Sequence, residues 1–399
     1  MSNSEQNKYL ISNYGPPPLE IVKGEGSYLW DSSGKKFLDF TSGIAVTNIG
    51  HSHEHWINSV NKQAKQLVHC SNLFSIPQQI NLAKRLIAQI GPGRMLFCNS
   101  GAEANEALIK FARLTGNQDP DQKKHKIIVA ENAFHGRTMG ALSATSSSKY
   151  RNGFEPLLDG FSFAPLNDLD AFKAKIDEQT IGIMVESIQG EGGIQVASDS
   201  FLQGLEEICA EKNLLFMLDE VQAGIGRTGE FLGFQKSGVK PDAVAMAKGL
   251  GGGFPIGGIW LKEKWTNIFQ PGSHGTTFGG SPLACSAAHA VVDVIENEDL
   301  INKTRIHGEF LKLELENLKN KYPSLIKETR GRGLMLALVM QNLPNDLITK
   351  FRQNGLLVVG AAGNAIRFLP PLSISNSELK EALEITKSSL REFHNELQK

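Results

Sequence analysis

The sequence has little of the features that mark several large classes of protein. The 399-residue chain contains four cysteines and no Cys-x-x-Cys pair, which argues against a disulfide framework or a thiolate zinc site and favours a reducing compartment. Its formal net charge of −1 gives no electrostatic reason to expect a nucleic acid or an anionic membrane as partner. No apolar run is long enough to span a bilayer, and the polar first residues show no secretory signal, so we expect a cytoplasmic protein.

The chain does contain a series of short apolar runs that alternate with helical patterns. Because these runs are apolar at nearly every position, both faces of the strands should be covered by helices, as in a mostly parallel α/β sheet. The predicted strands of this sheet are 94–98, 126–130, 182–186, 214–218, 243–246 and 258–261.

A second, smaller unit is indicated after Asn297, where the composition changes. A charged helical stretch is followed by further apolar runs, among them 356–359, and by a capping box from Ser375 to Glu378 that opens a final helix. The pattern over 26–40 predicts a β-hairpin that could join this α+β unit. We therefore predict three parts: an N-terminal segment 1–50 packing with the small domain, a large cofactor-binding domain 51–296, and a small domain 297–399.

Lys248 has the clearest chemical signal in the chain. It follows the apolar run 243–246, and a glycine-rich turn comes directly after it. A lysine at a strand end in apolar surroundings is desolvated, so its pKa falls and its neutral amine can form a Schiff base. An earlier apolar run, 214–218, is followed by Asp219, which could hold a pyridine nitrogen protonated. Together these are the two protein groups that pyridoxal phosphate (PLP) chemistry needs.

Two further motifs are compatible with such a cofactor and its substrate. The segment 100–102 lies where a predicted strand turns into a helix, opened by a capping box from Ser100 to Glu103, and free N–H groups there can bind a phosphate. Phe134 could stack on a ring, and Arg137 could bind a carboxylate with two hydrogen bonds. An ordinary capped helix and a surface arginine would give the same patterns.

Two other patterns suggest different chemistry. The glycine-rich run 249–258 could indicate the dinucleotide loop of an oxidoreductase, but Pro255 interrupts the helix that should follow, and the spacing differs from G-x-G-x-x-G. We interpret the run as a turn that leads the backbone away from the preceding lysine. His51, His53 and His55 would share one face of a strand, as metal ligands can, yet no carboxylate of obvious role is nearby in sequence, and we predict no metal site.

In combination, the motifs resemble those of the class III (subgroup II) aminotransferases, PLP enzymes of fold type I. The resemblance extends from Trp30 to the final helix. It is carried by 100–105, 134–138, 219–229, 247–255 and 274–280. It implies PLP as cofactor, an amino donor and 2-oxoglutarate as substrates, and a homodimer with shared active sites. The implied fold is a large domain with a mostly parallel sheet covered by helices, plus a smaller α+β domain.

Carried over position by position, the resemblance assigns a role to each candidate residue. Lys248 would be the Schiff-base lysine and would move protons. The other cofactor-binding residues it implies are Gly101, Ala102, Phe134, Asp219, Val221, Gln222 and, from the neighbouring subunit, Thr277. The substrate-binding residues it implies are Arg137, Thr276, Glu191 and Arg367. Arg367 would bind the α-carboxylate of 2-oxoglutarate, and Glu191 would cover it while the amino donor is bound.

Three positions differ from the pattern of the family. Ser187 and His55 stand where proline is usual, which concerns loop geometry rather than a reacting group. Ile44 stands where ornithine-specific members have a tyrosine that would contact a free α-amino group. The absence of that tyrosine favours an acylated donor such as N2-acetyl-L-ornithine. Ornithine, succinylornithine, succinyl-diaminopimelate and 4-aminobutyrate are the alternative donors, and an aminomutase, which makes no net use of 2-oxoglutarate, is the alternative reaction.

Overall fold

The structure is a computed structural model that describes residues 8–342 and 345–398. Its strands, numbered in chain order, are β1 Ile21–Glu25, β2 Tyr28–Asp31, β3 Lys36–Asp39, β4 Gly93–Cys98, β5 Lys126–Ala130, β6 Phe161–Ala164, β7 Thr180–Glu186, β8 Ile188–Gln189, β9 Gln195–Val196, β10 Leu215–Asp219, β11 Ala243–Met246, β12 Gly257–Lys262, β13 Ile326–Arg332, β14 Met335–Met340, β15 Leu356–Leu357, β16 Val359–Ala361 and β17 Ala365–Phe368. Its longer α-helices are Glu54–Ala64, Pro77–Ile90, Gly101–Gly116, Asp199–Lys212, Pro282–Asn297, Leu300–Lys321, Asn345–Gln353 and Asn376–Leu397. Shorter α-helices are Ser42–Ala45, Met139–Ala144, Ser148–Arg151 and Leu169–Ala174, and 3₁₀ turns are Gly233–Ser237, Lys248–Gly251 and Glu263–Trp265.

The central sheet has the strand order β4-β12-β11-β10-β7-β5-β6. Strand β12 runs antiparallel to both its neighbours, and the remaining neighbours pair in parallel, so the predicted mostly parallel sheet is confirmed. In the register of β10, Asp219 lies opposite Glu186 of β7 and Ala245 of β11. The carboxyl ends of these strands therefore meet at one edge, which is where open α/β sheets bind their ligands.

The helix Gly101–Gly116 covers one face of this sheet. Its predicted inward residues, Ala104, Ala107, Leu108 and Phe111, are all fully buried. The predicted capping box is half formed: the Ser100 side chain accepts the N–H of Glu103 at 3.2 Å, as expected. The Glu103 carboxylate, however, accepts from Asn99, because Asn99 offers both its backbone N–H (2.7 Å) and its side-chain amide (2.8 Å).

Two smaller sheets involve the chain ends. One has the order β13-β14-β17-β16, and the other the order β1-β2-β3-β15, in which the predicted N-terminal hairpin pairs in parallel with β15. The apolar run 356–359 is divided between β15 and β16, which belong to different sheets. The capping box of the last helix is complete, with Ser375 N donating to Glu378 at 2.7 Å. The three domain boundaries stay a prediction.

Across residues 8–342 and 345–398, the structure contains no helix that combines the length and the apolar character needed to cross a membrane.

Candidate active site

A cavity of about 210 Å³ lies at the carboxyl edge of the central sheet. Its walls are formed by Gly101, Ala102, Asn105, Phe134, His135, Gly136, Arg137, Glu186, Glu191, Asp219, Val221, Gln222 and Lys248. The structure thus brings together most of the residues that the sequence pointed to, from segments far apart in the chain. Arg367, Thr276 and Thr277 do not line this cavity.

Lys248 is presented to the cavity by a strained turn. It begins the 3₁₀ turn Lys248–Gly251 just after β11, with a φ of 42°, a left-handed conformation that non-glycine residues seldom adopt. Burial lowers the pKa of its amine, and the nearby carboxylates of Glu191 and Asp219 oppose this shift without reversing it. Within the described part of the chain, no side chain or carbonyl accepts a hydrogen bond from the amine. Both features make the lysine a candidate nucleophile.

Asp219 is held in one orientation by three hydrogen bonds. Its Oδ2 accepts from Asn105 Nδ2 at 2.6 Å and from His135 Nδ1 at 2.7 Å, and its Oδ1 accepts from the backbone N–H of Val221 at 2.9 Å. Asn105 also donates to the carbonyl of His135 at 2.7 Å. These two residues were not predicted as site residues. Their only signal in the sequence was a position inside the two motifs 100–105 and 134–138.

Glu186 positions the aromatic wall of the cavity. Its carboxyl group accepts the backbone N–H of Phe134 at 3.1 Å and of Gly190 at 3.3 Å. Burial, reinforced by the charge of Asp219, raises the pKa of Glu186 well above the usual range. The Phe134 ring packs edge-on against Tyr150, with 5.3 Å between centroids.

The N-terminus of the helix Gly101–Gly116 faces the cavity with two available donors. The backbone N–H groups of Gly101 and Ala102 have no acceptor among the described residues, as expected for the first turn of a helix. A Cβ on residue 101 would lie only 2.5 Å from Val221 Cγ1, so only glycine lets the backbone approach Val221 this closely. Unpaired donors at a helix N-terminus suit a phosphate. The residues present therefore fit a phosphate-bearing pyridine, with Asp219 available to its ring nitrogen.

Arg367 reaches the edge of the cavity through an ion pair. Its Nη1 lies 2.6 Å from Glu191 Oε1 and 3.4 Å from Gln222 Oε1, and its Nη2 donates to the carbonyl of Gly360 at 3.1 Å. Burial raises the pKa of Glu191, but the guanidinium outweighs this effect and holds the pKa below the usual range. A charged pair of opposite sign thus lies beside Lys248.

Thr276 and Thr277 lie on a different part of the molecule. Thr276 Oγ1 accepts from Asn99 Nδ2 at 3.0 Å and from the backbone N–H of Gly279 at 3.2 Å. It lines a separate surface cavity of about 620 Å³ that Phe97 also borders, and Thr277 is exposed. The role of Thr277 at the phosphate of a neighbouring subunit and that of Thr276 near the substrate stay predictions.

The three closely spaced histidines do not share a strand face. His51 Nε2 lies 2.8 Å from Asp39, His53 Nε2 lies 3.0 Å from Glu298, and His55 Nε2 lies 2.9 Å from Asp293. The sequence did not indicate these carboxylates, because Asp293 lies in the helix Pro282–Asn297 and Glu298 directly follows it, both more than 200 residues away. Over the residues that the structure describes, no group of three or more His, Cys, Asp or Glu side chains is arranged to hold a metal ion.

Comparison with known proteins identifies the family. A family model described as aminotransferase class-III matches residues 9–390. The acetylornithine aminotransferase of Caldanaerobacter subterraneus subsp. tengcongensis is 45% identical over 388 residues, which cover 97% of this chain and 98% of that protein. The chain belongs to the class III aminotransferases.

Two solved structures share the fold over nearly the whole chain. An ornithine aminotransferase from Toxoplasma gondii, described with partial occupancy of PLP at its active site, has a TM-score of 0.94 at 32% identity and covers 99% of this chain and 95% of its own. The acetylornithine aminotransferase from Elizabethkingia anophelis has a TM-score of 0.86 at 32% identity, with 98% of each chain covered. The predicted family, fold and cofactor are confirmed: the chain is a PLP-dependent transaminase.

Proposed function

We propose that this enzyme transfers the δ-amino group of N2-acetyl-L-ornithine to 2-oxoglutarate, giving N-acetyl-L-glutamate 5-semialdehyde and L-glutamate, a step of arginine biosynthesis. The observation that carries the proposal is the Arg367–Glu191 pair beside a desolvated Lys248. The same site thus contains a lysine that can react and the guanidinium of Arg367, which Glu191 can cover or leave exposed. The names of the full-length relatives at about 45% identity support the acylated donor.

The residues around the cavity divide the chemistry among them. When bound, PLP supplies an aldehyde that reacts with amines and a ring that withdraws electrons from the carbon bearing the amine. Lys248, whose pKa is lowered by burial, acts first as a nucleophile and then as the base that takes a proton from the donor's δ-carbon. The fixed negative charge of Asp219 favours a protonated pyridine nitrogen, and the helix end at Gly101 and Ala102 holds the phosphate.

The Arg367–Glu191 pair lets one cavity accept two substrates of different charge. With the pair closed at 2.6 Å, the carboxylate neutralises the guanidinium, and a donor that brings a terminal amine meets no unpaired positive charge. When Glu191 moves aside, Arg367 can bind a carboxylate of 2-oxoglutarate with two hydrogen bonds. The remaining contacts of Arg367, to Gln222 and to the carbonyl of Gly360, keep it in place in either state.

Ile44 supports a donor whose α-amine is acylated. It lies in the turn Ser42–Ala45, which is tied to the strand of Arg367 by a 2.6 Å hydrogen bond from Ser42 Oγ to the carbonyl of Leu369. Its side chain is apolar and partly exposed, so it offers no acceptor to a charged α-ammonium group. An acylated nitrogen, which carries no charge, loses less on approaching such a surface.

The donor is tested by the spectrum of the bound cofactor in the absence of any oxo acid. We expect N2-acetylornithine to bleach the visible band rapidly, and ornithine and 4-aminobutyrate to do so at least about tenfold more slowly, since an unpaired ammonium against an apolar surface costs about 1–3 kcal/mol. In Ile44→Tyr, the added hydroxyl should reduce the difference between the bleaching rates with ornithine and with acetylornithine. Faster bleaching of the wild-type enzyme by ornithine than by acetylornithine would overturn the proposed donor.

We also propose that the enzyme is a homodimer in which each subunit completes the site of the other. Support comes from an exposed apolar surface beside Thr277: Leu73 is 88% exposed, Phe74 is 68% exposed and Phe278 is 63% exposed. Asn72 links this surface to the threonine loop by donating to the carbonyl of Gly279 at 3.0 Å. Large exposed apolar patches are typical of interfaces, and a two-fold axis would place each patch against its copy.

Subunit mixing tests the shared site. Lys248→Ala should inactivate the site that contains it, and Thr277→Asp should repel the phosphate held by the partner subunit. In mixed dimers, one site combines an intact Lys248 with an intact Thr277, so about a quarter of all sites should recover after random exchange. We expect the mixture to regain activity that neither variant has alone. Mixed dimers that form but stay inactive would contradict a shared site.

A further inference from the structure

Arg227 is a buried charge that the proposed chemistry does not use. Its side chain is fully buried, at 0% exposed, in the loop that follows β10. Nη1 donates to the carbonyl of Leu334 at 3.1 Å and to the carbonyl of Pro370, and Nη2 donates to Asn48 Oδ1 at 2.6 Å. The backbone adds a fourth bond, since Leu334 N donates to the Arg227 carbonyl at 3.1 Å.

The oxygens that accept hydrogen bonds from Arg227 are all neutral, so burying its positive charge costs free energy that no paired carboxylate offsets. Burial lowers the pKa of the guanidinium to about 9, against the opposing charge of Asp39, so the group is still protonated at neutral pH. Its Nε has no acceptor among the described residues. A buried cation without a hydrogen-bonded carboxylate is expensive to desolvate, and the three side-chain hydrogen bonds of Arg227 offset part of that cost.

Two of the hydrogen bonds from Arg227, to Leu334 and Pro370, end beside strands of the sheet β13-β14-β17-β16, which contains Arg367. Pro370 lies three residues beyond Arg367 and two residues after the end of β17. Leu334 directly precedes β14, in which Ala337 is the register partner of Arg367. The guanidinium of Arg227 therefore fixes both strands of the pair on which Arg367 is placed.

The third bond leads to the turn of the reacting lysine. The Asn48 amide lies against Gly249, where any side chain would overlap it. The same side-chain amide donates to the carbonyl of Ile225 at 2.8 Å. The backbone carbonyl of Asn48 accepts the backbone N–H of Leu372 at 2.7 Å. Ile225 is buried and has a φ of 55°, a strained conformation for a β-branched residue, so this loop is held rather than relaxed.

We propose that Arg227, acting through Asn48, is a positioning residue that sets the distance between the Arg367 strand and the turn of Lys248. The inference rests on the proposed function, because it takes Arg367 as the group that binds the acceptor. A looser Arg367 should weaken the reaction with 2-oxoglutarate. The reaction with the donor should change less, because Arg367 is then covered by Glu191.

The test is to measure the two half-reactions separately by stopped-flow spectroscopy on the PLP-loaded enzyme. Arg227→Lys keeps the charge but cannot reach three acceptors at once. We expect its efficiency with 2-oxoglutarate to fall about tenfold or more, and its efficiency with the donor to fall less than about threefold. The matched control is Arg332→Lys, since Arg332 lies in the same small sheet and binds Asp199 at 2.8 Å, away from both Asn48 and the lysine turn. That control should leave the ratio of the two half-reactions unchanged.

A second pair of variants covers the case in which Arg227→Lys does not fold. Asn48→Ala removes both the oxygen that accepts from Arg227 and the amide that donates to Ile225, whereas Asn48→Asp loses only the amide donor. The half-reaction with 2-oxoglutarate should therefore be slower in Asn48→Ala than in Asn48→Asp. Equal losses in both half-reactions, equal losses in the two Asn48 variants, or no loss would each overturn the proposal. Failure of the proposed function would be visible in the wild-type enzyme, as a lack of reaction with 2-oxoglutarate. The variants would then be compared with the oxo acid that the wild type does accept.

Discussion

Replacing Lys248 with alanine should abolish steady turnover while leaving cofactor bound. The substitution removes both the nucleophile and the base, and general acid–base catalysis alone contributes up to about 10⁴-fold, so we expect kcat to fall by at least that factor. The phosphate donors at Gly101 and Ala102 and the fixed carboxylate of Asp219 do not depend on the lysine, so cofactor should still co-purify. Activity is measured as glutamate formed from acetylornithine and 2-oxoglutarate, and cofactor is quantified after denaturation.

The matched control for this experiment is Lys262→Ala. Lys262 ends β12 beside Asp242 and Trp265, in a different cavity, and should be dispensable for turnover. A Lys248→Ala enzyme that retains steady turnover would remove the central assignment. Loss of activity in Lys262→Ala to the same extent would show that the effect is not specific to the reacting lysine.

Replacing Asp219 with asparagine should be almost as damaging although it changes one atom. The carboxylate accepts from Asn105, His135 and Val221, and an amide can satisfy only part of this set while it removes the negative charge. Without that charge, the pyridine nitrogen of the cofactor is no longer held protonated. We expect kcat to fall by about 10²–10³-fold, the range found when one preorganised electrostatic partner is removed.

Glu220→Gln provides the control for Asp219→Asn. Glu220 is the next residue and is fully buried, but its Oε2 accepts the N–H of Gly233 at 2.6 Å, away from the cavity. Burial raises the pKa of Glu220 to about 7, so near neutral pH this carboxyl is already partly uncharged and its replacement by glutamine changes little.

A second test of Asp219 uses a PLP analogue methylated at the ring nitrogen, whose positive charge is permanent. It should restore part of the activity of Asp219→Asn, and a lack of any restoration would argue that Asp219 acts by some other means.

Local patterns were sufficient to predict much of the fold and part of the site. The apolar runs of the central sheet are confirmed to within two residues at each end, because their burial on both faces leaves a direct trace in the composition. Lys248 and Asp219 were predicted as site residues because each follows such a run, and the structure places both at the cavity. Local patterns do not show which sheet a strand joins: within the apolar run 356–359, the chain passes from one sheet to another at Val358. The Ser100 capping box was only half right, since Asn99 competes for the same carboxylate.

The sequence by itself determined the α/β class and pointed to Lys248 and Asp219 as candidate site residues, since these depend on burial and on order along the chain. Only the tertiary structure decided which charges face one another. Glu191 meets Arg367 across 176 residues, and the buried guanidinium of Arg227 meets carbonyls 107 and 143 residues away. Such pairings leave no periodic signal, because a hydrogen bond between distant segments is fixed by how the sheets and turns pack, and not by the residues adjacent to either partner.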